Sequence, residues 1–318
     1  MSARKPAVQF LATEPHFDDH LRPVWQQIPQ HARGIITAKP EELDPDTPTA
    51  VAAWGSYRQA LQRIAHSTPV VFFEHGAGFT YNTPQPHPSY AGGPGRQRVD
   101  LFLNTNGFVD EKNRAAYPHT ASAIVGSPKM DKLSAAPPPD PNAPIKTVAF
   151  SWHWECKVAP ETRMAFPHYK HKLGTIAARN HDLWTPVGHA HPRAWRWVEP
   201  HYRRLRWPIQ KDFNTIAATA HAYVCDTSST IYEMAALDRP VIILNAPWYR
   251  RNVSHGLRFW DHLPGPTVDE PFHLADTIRR ALTDDQHAEQ RRTISELVYP
   301  HRGQAARRAA DAIMERYG

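Results

Sequence analysis

The sequence predicts an α/β protein of two units, each built on a parallel sheet. Short apolar runs alternate with helix-like stretches in both halves of the chain, the pattern of strand–helix–strand repeats. A proline-rich segment, Ser134-Ala-Ala-Pro-Pro-Pro-Asp-Pro-Asn-Ala-Pro144, separates the halves. Its prolines lack the amide donor that a sheet or helix interior needs, so it reads as an extended spacer. With 318 residues, each half is long enough to bury its own core.

In chain order, Val8 to Leu11, Gly34 to Ala38, Val70 to Phe73, Val99 to Leu103 and Ala123 to Val125 are the apolar runs before the spacer, with Tyr57 to Ala65 helix-like. After it come Thr147 to Phe150, Trp184 to Val187, Ala222 to Cys225 and Val241 to Leu244, with helices expected over Glu161 to Asn180 and Phe213 to Ala220. Gln304 to Tyr317 spaces Ala, Ile and Met at helical intervals against Arg and Glu, an amphipathic helix. The expected division is therefore an N-terminal domain over 1–133, a linker over 134–144, a C-terminal domain over 145–300, and a final helix over 301–318 with the option of packing back on the first domain. The proline- and glycine-punctuated stretch Tyr81 to Arg98 reads as a long loop, either a lid or surface decoration.

Composition narrows the class. A formal charge of +6 and a pI near 9.3 favour an anionic partner such as a nucleotide, a nucleic acid or a polyanionic polymer. Cys156 and Cys225 are the only cysteines, too few and too far apart for a disulfide framework or a thiolate zinc site. The N-terminus lacks a signal-peptide apolar core, and no run approaches the length of a membrane span. A cytoplasmic location is the expectation.

The most informative stretch runs from Val224 to Asn245. It reads as strand, polar turn, short helix Ile231 to Leu237, stop at Asp238-Arg239-Pro240, and second strand. Asp226, Thr227, Ser228, Ser229 and Thr230 crowd the helix start, where unpaired amides and the helix dipole favour a phosphate. Thr230-Ile-Tyr-Glu233 also fits a capping box, so Thr230 and Glu233 have a purely local alternative.

Val70-Val-Phe-Phe-Glu-His-Gly-Ala-Gly78 places Glu74, His75 and Gly76 just after a strand, where ligands sit in open α/β sheets. An imidazole there can take a proton from an attacking hydroxyl, with Glu74 orienting it and the glycines letting a substrate approach the backbone. Val187-Gly-His-Ala-His-Pro-Arg193 brings His189, His191 and Arg193 to another strand end. His-x-His can be a metal pair, but no acidic or cysteine set at ligand spacing accompanies it, and a donor cluster for a diphosphate leaving group is more economical. From Arg193 to Trp207, guanidinium and aromatic side chains interleave. That suits stacked bases or a phosphate backbone, and equally a packed edge with arginines in solvent.

Taken together, Phe73-Glu-His-Gly76, Ile124 to Leu133, the strand into Ser151-Trp-His-Trp154, His191-Pro-Arg193, and Asp226-Thr-Ser-Ser229 through Arg239-Pro-Val241 resemble the CDP-glycerol glycerophosphotransferases of teichoic acid synthesis and the wider GT-B set that includes UDP-GlcNAc 2-epimerases. The resemblance implies a GT-B fold, two Rossmann-like domains facing across a cleft, a nucleotide-activated UDP- or CDP-linked donor as co-substrate, and no cofactor or metal. It makes His75 the candidate base, with Glu74 and His191 beside it in the catalytic set. Asp226, Thr227, Ser228, Ser229, Arg193, Gly126 and Ser127 become candidates for the donor phosphates and nucleotide, with Glu233 reaching the ribose. Gly76, Trp195, Arg196 and Arg203 are candidates for the acceptor. The family's arginine in the Ser151–Trp154 segment is absent here, and Lys157 is its nearest substitute.

The reading is a metal-independent transferase moving a glycosyl or glycerophosphoryl group to a hydroxyl. Acceptors consistent with the basic chain are a hydroxymethylated base in DNA, a cell-surface polyol phosphate or a small metabolite. A nucleotide-sugar 2-epimerase and a non-catalytic nucleotide- or nucleic-acid-binding protein are the alternatives.

Overall fold

The structure, a computed structural model, describes residues 7–53, 56–74, 76–77, 96–155, 163–249 and 262–318. The first half carries β1 (Val8–Leu11), α1 (Pro15–Gln27), β2 (Arg33–Thr37), β3 (Thr49–Ala53), α2 (Tyr57–Leu61), β4 (Val70–Phe73), β5 (Leu101–Asn104), α3 (Gly107–Ala116), β6 (Ala121–Ile124) and α4 (Pro128–Ser134). The second carries β7 (Lys146–Ser151), α5 (Phe166–Tyr169), α6 (Leu173–Ala178), β8 (Trp184–Gly188), α7 (Trp195–Arg204), α8 (Phe213–Thr219), β9 (Ala222–Cys225), α9 (Thr230–Ala236), β10 (Val241–Leu244), β11 (Thr267–Val268), α10 (Leu274–Thr283) and α11 (Ala288–Val298). The chain ends in α12 (Ala305–Tyr317). Two compact units result, one of residues 1–135 with 297–318 and one of residues 136–296.

In the first unit the strand order is β2-β1-β3-β4-β5-β6, and every pairing is parallel. Alternate residues of a strand face opposite sides, so β4 divides its side chains between two cores. Val71 and Phe73 pack with Phe17, Leu21 and Val24 of α1 and Ile313 of α12. Val70 and Phe72 pack with Tyr57 and Ala60 of α2. Burial on both faces explains why this strand reads as an unbroken apolar run rather than an alternating one.

The final helix belongs to this unit. Its Ala305, Ala306, Ala309 and Ala310 are buried, and small side chains let it lie close on α1 and α4. Its start is held by Asp131 of α4, whose carboxylate accepts the amides of Gly303 (2.7 Å), Ala305 (3.2 Å) and Ala306 (2.8 Å). The amides of Ala305 and Ala306 are ones that a helix N-terminus leaves without intrahelical partners. Gly126, with φ +89°, faces the same turn, and a Cβ there would collide with the Pro300 carbonyl and lie 3.1 Å from the Ala305 Cβ.

The second unit has strand order β11-β10-β9-β7-β8, again parallel throughout. Phe150, Trp184, Tyr202 and Trp207 fill one side of its core, with Tyr202 stacked on Trp207 at 5.5 Å. Gly188 closes β8 because the Tyr202 ring occupies the space where a side chain would go. α9 ends as the sequence expects. Asp238 adopts φ +57°, its amide reaches the Ala235 carbonyl and that of Arg239 the Met234 carbonyl, the two closing bonds of a Schellman motif.

One helix departs from expectation. The stretch Glu161 to Asn180 is not continuous: within its described part, α5 and α6 are separate turns. Tyr169 breaks the pattern by aiming its hydroxyl at the Asn245 carbonyl just past β10 and the Val268 carbonyl at the end of β11, which ties the first turn to the sheet end rather than to the second turn. Among the described residues no helix is long and apolar enough to cross a membrane.

Candidate functional site

Strand order locates the site of the second unit. From β7 the chain moves to β8 on one side and then to β9 on the other, so the direction of winding reverses between β7 and β9. Loops leaving neighbouring strands part at such a point, and the carboxyl ends of those strands frame a ligand crevice. The residues that follow are Ser151-Trp-His-Trp154 after β7, His189-Ala-His-Pro-Arg193 after β8, and Asp226-Thr-Ser-Ser229 after β9.

Asp226 builds this edge from within. It is fully buried, and its two carboxylate oxygens accept the His153 amide at 2.6 Å and the Ala165 amide at 2.8 Å. Burial pushes the carboxyl up to about 7, while the two amide donors hold it back. Glu155 adds a second staple, accepting from Arg163 at 2.8 Å and from the Met164 amide at 3.1 Å. The carboxylate of Asp226, read from sequence as part of a phosphate-binding turn, is turned inward to fix the loop backbone.

The hydroxyls that follow are arranged differently from a capping box. Ser229, not Thr230, is the residue before α9. Thr230 Oγ1 sits 2.8 Å from the Tyr223 hydroxyl and 2.9 Å from Ser228 Oγ, so it joins a side-chain chain rather than closing the helix start. Ser228 and Ser229 are half-buried, Thr227 is buried, and Glu233 is 3% exposed.

The histidines and aromatics meet beside them. His153 and His191 have ring centroids 5.8 Å apart, Trp154 and His191 lie at 6.1 Å, and the Arg193 guanidinium covers the Trp154 ring at 4.9 Å. His191 is fixed through both backbone and ring: its amide donates to the Trp152 carbonyl at 2.9 Å, and its Nδ1 accepts the Arg193 amide at 3.1 Å. Behind them Tyr202 is an internal post. Its hydroxyl accepts from Trp152 Nε1 at 2.7 Å and lies 2.8 Å from the Phe150 carbonyl and 3.1 Å from that of His189. His189 is buried, with Nδ1 at 2.8 Å from Ser151 Oγ, a supporting position rather than one open to a ligand.

α7 carries the other aromatic and basic residues. Val198 and Tyr202 face the core, Trp195 packs partly against it, and Arg196 and Arg203 point outward. Arg196 stacks on the exposed Trp197 at 3.8 Å, and Arg203 pairs with Glu199. The interleaved pattern is thus an amphipathic helix, with an outer face of cations and one indole.

In the first unit His75 lies outside the described residues, as does most of the Tyr81 to Arg98 stretch; Cys156 and Lys157 do so in the second. Glu74, at the end of β4, is buried and pairs with the buried Arg96, Oε1 to Nη1 at 2.6 Å. Burial raises its pKa, and Arg96 opposes that rise. Its carboxylate is thereby held by Arg96 and Asn113, and the Arg96 guanidinium also covers Phe72 at 4.2 Å. Gly76 follows with φ +73°. The Ala77 carbonyl accepts from Asn106, which also reaches the Val298 carbonyl. Ser127 is buried at the start of α4 with its hydroxyl unpartnered, and Gly126 is accounted for by the Pro300 turn.

Sequence reasoning left His153 without a role. The signal was its place directly after a strand, the same position that singled out His75.

Comparisons with known proteins agree with this architecture. Residues 206–315 match the CDP-Glycerol:Poly(glycerophosphate) glycerophosphotransferase family, a span that includes Asp226 to Ser229 and Arg239 to Val241. A structure of the wall teichoic acid polymerase TagF, soaked with CDPG, superposes with a TM-score of 0.66 at 13% identity, covering 98% of this chain and 89% of that one. A UDP-N-acetylglucosamine 2-epimerase gives 0.64 at 13% identity, with 99% and 97% covered. The S. aureus MnaA–UDP co-structure gives 0.65 at 11% identity, with 98% and 96% covered. No curated protein matches the chain in sequence. The chain has the GT-B fold, and its C-terminal segment resembles the CDP-glycerol glycerophosphotransferases.

Proposed function

We propose that this protein is a transferase that binds a nucleotide-activated donor at the β7/β9 edge of its second unit and passes a glycerophosphoryl group to a hydroxyl. The observation that carries the reading is the coincidence of the family match over 206–315 with the strand-order reversal that Asp226 to Ser229 flank. In this reaction the acceptor oxygen attacks the phosphorus that bears glycerol. The bond from that phosphorus to the bridging oxygen breaks, and CMP leaves with the bridging oxygen. His75 takes the acceptor's proton. His191, Arg193, Ser228 and Ser229 meet the charge that grows on the departing phosphate, the electrostatic share of the catalysis.

A second reading is glycosyl transfer from a UDP-sugar, favoured by the equally good fold match to UDP-N-acetylglucosamine 2-epimerases. Bond breaking then occurs at the sugar carbon, and the leaving group is a nucleoside diphosphate. Product identity separates the two. Incubation with CDP-glycerol or UDP-N-acetylglucosamine, with and without a polyol phosphate, is expected to give acceptor-dependent CMP from the first donor. Acceptor-dependent UDP from the second would select the glycosyl reading, and turnover of neither would refute both. His75→Ala is expected to abolish release while leaving donor binding intact; near wild-type turnover would remove His75 from the mechanism.

A further inference from the structure

We infer that the outer face of α7 is a docking surface for a flexible phosphodiester-linked polyol chain, with Arg196, Arg204 and Arg206 holding the repeats of an acceptor that lie remote from its reacting hydroxyl. The inference rests on the transferase reading above and deepens it, because it makes the acceptor a polymer and gives its length a binding surface.

The positive charge of the chain is concentrated here. Between Arg193 and Lys211 stand six arginines and lysines against one carboxylate, Glu199, an excess of five, while the whole chain carries a formal +6. That carboxylate is already engaged, with one oxygen on Arg203 and the other on Lys211 at 2.7 Å. Arg196, Arg204 and Arg206 are exposed, and among the described residues none of the three pairs with a carboxylate. The field reaches past the helix. Burial lowers the pKa of the His201 ring, and Arg204 together with His171 and Lys170, from the turn between α5 and α6, lowers it further.

The helix suits an anionic chain better than a membrane or a base. Val198 and Tyr202 fix its inner side in the core, so no apolar face is left to enter a bilayer. Its outer side shows one large apolar group, Trp197, 41% exposed. Arg196 covers that ring at 3.8 Å, which orders the guanidinium and takes one face of the indole from any stacking base. From Arg196 to Arg204 the charges span about 12 Å of helix. A single phosphate meets one of them, whereas a chain with a charge in every repeat meets several. Each exposed contact is weak and screened by salt, so the surface ranks acceptors by length. The face also begins at the donor edge, since Arg193, three residues before Arg196, covers the Trp154 ring at 4.9 Å.

Two end-labelled probes, a single glycerol phosphate and a glycerol phosphate oligomer of several repeats, are titrated with the full chain by fluorescence anisotropy without donor. The oligomer is expected to bind the wild type at least about tenfold more tightly, an advantage that shrinks as salt is added. An Arg196→Gln, Arg204→Gln, Arg206→Gln triple variant is expected to lose most of that advantage, and the corresponding triple Lys variant, which keeps the charge, to retain it. Turnover with CDP-glycerol or UDP-N-acetylglucosamine is then measured with the oligomer as acceptor, where the Gln variant is expected to raise KM about tenfold or more. Equal affinity of the wild type for both probes, or unchanged oligomer affinity in a folded Gln variant, overturns the inference. So does binding of duplex DNA or phosphatidylglycerol vesicles that is tighter than that of the oligomer and lost in the Gln variant, because the surface then serves a different partner. Oligomer binding that depends on these arginines, with neither donor turned over, leaves the surface in place and refutes the transferase reading.

Discussion

The buried carboxyl of Asp226 makes a pH signature that can be worked through. Its pKa rises from 3.8 to about 7 on folding, so between those values the folded chain holds a proton that the unfolded chain has released. Stability from this group is fully present below about pH 4 and is lost as pH climbs to about 7. At about 1.4 kcal/mol per pH unit the loss amounts to about 4 kcal/mol as an upper bound. Asp226→Asn carries no charge at any pH. Its carboxamide oxygen can accept one of the two amides, His153 or Ala165, while its NH2 group confronts the other, at a cost of about 1–3 kcal/mol. The variant should therefore be less stable than wild type near pH 4.5, and the gap should close or invert near pH 8. Urea unfolding followed by tryptophan fluorescence reads this directly, with several indoles in the second unit's core. A difference between the two proteins that stays constant with pH would refute the assignment of a raised pKa to Asp226.

Gly188→Ala places a Cβ 2.6 and 2.7 Å from carbons of the buried Tyr202 ring and should cost about 1–3 kcal/mol or more in urea unfolding; a neutral result would mean Tyr202 is free to move. Arg96→Met leaves the Glu74 carboxylate buried without its cation, with Asn113 as a remaining hydrogen-bond partner and an expected loss of about 3–5 kcal/mol. That loss should be larger near pH 8 than near pH 5, because protonation relieves the carboxylate, and a pH-independent loss would contradict the pairing. Asp131→Ala removes the acceptor for three amides at the start of α12 and should cost about 1–2 kcal/mol and speed proteolysis of the C-terminal segment. Unchanged digestion would show that the buried alanines alone hold the helix.

Much of the fold could be read directly from apolar runs. β1, β4, β9 and β10 fall on runs buried on both faces, where the hydrophobic signal is continuous. β3 escaped because Thr-Ala-Val-Ala-Ala offers almost no contrast in polarity, although it is the strand that links β1 to β4. β11 is only two residues long, too short for any periodicity. α1 was obscured by Pro15 and Pro23; Pro15 suits the helix start, where an amide donor is not needed, whereas Pro23 lies inside the helix.

At the candidate site, the expectation that His191, Arg193 and Ser228 follow strands agrees with their positions after β8 and β9. What it could not supply was direction. Asp226 and Ser228 stand two residues apart, yet one faces inward to the loop amides and the other toward the half-exposed edge, a distinction set by tertiary hydrogen bonds. Gly126 shows the same limit, since its left-handed backbone serves the Pro300 turn and no local pattern announces a partner so distant in sequence.

The claim on which the functional reading depends is that the donor binds at the β7/β9 edge of the second unit. Calorimetric titration of CDP-glycerol into the wild type and into a Ser228→Ala, Ser229→Ala, His191→Ala triple variant tests it most directly. The affinity should fall by at least about tenfold with the unfolding midpoint little changed. Equal affinity in a folded triple variant would contradict it.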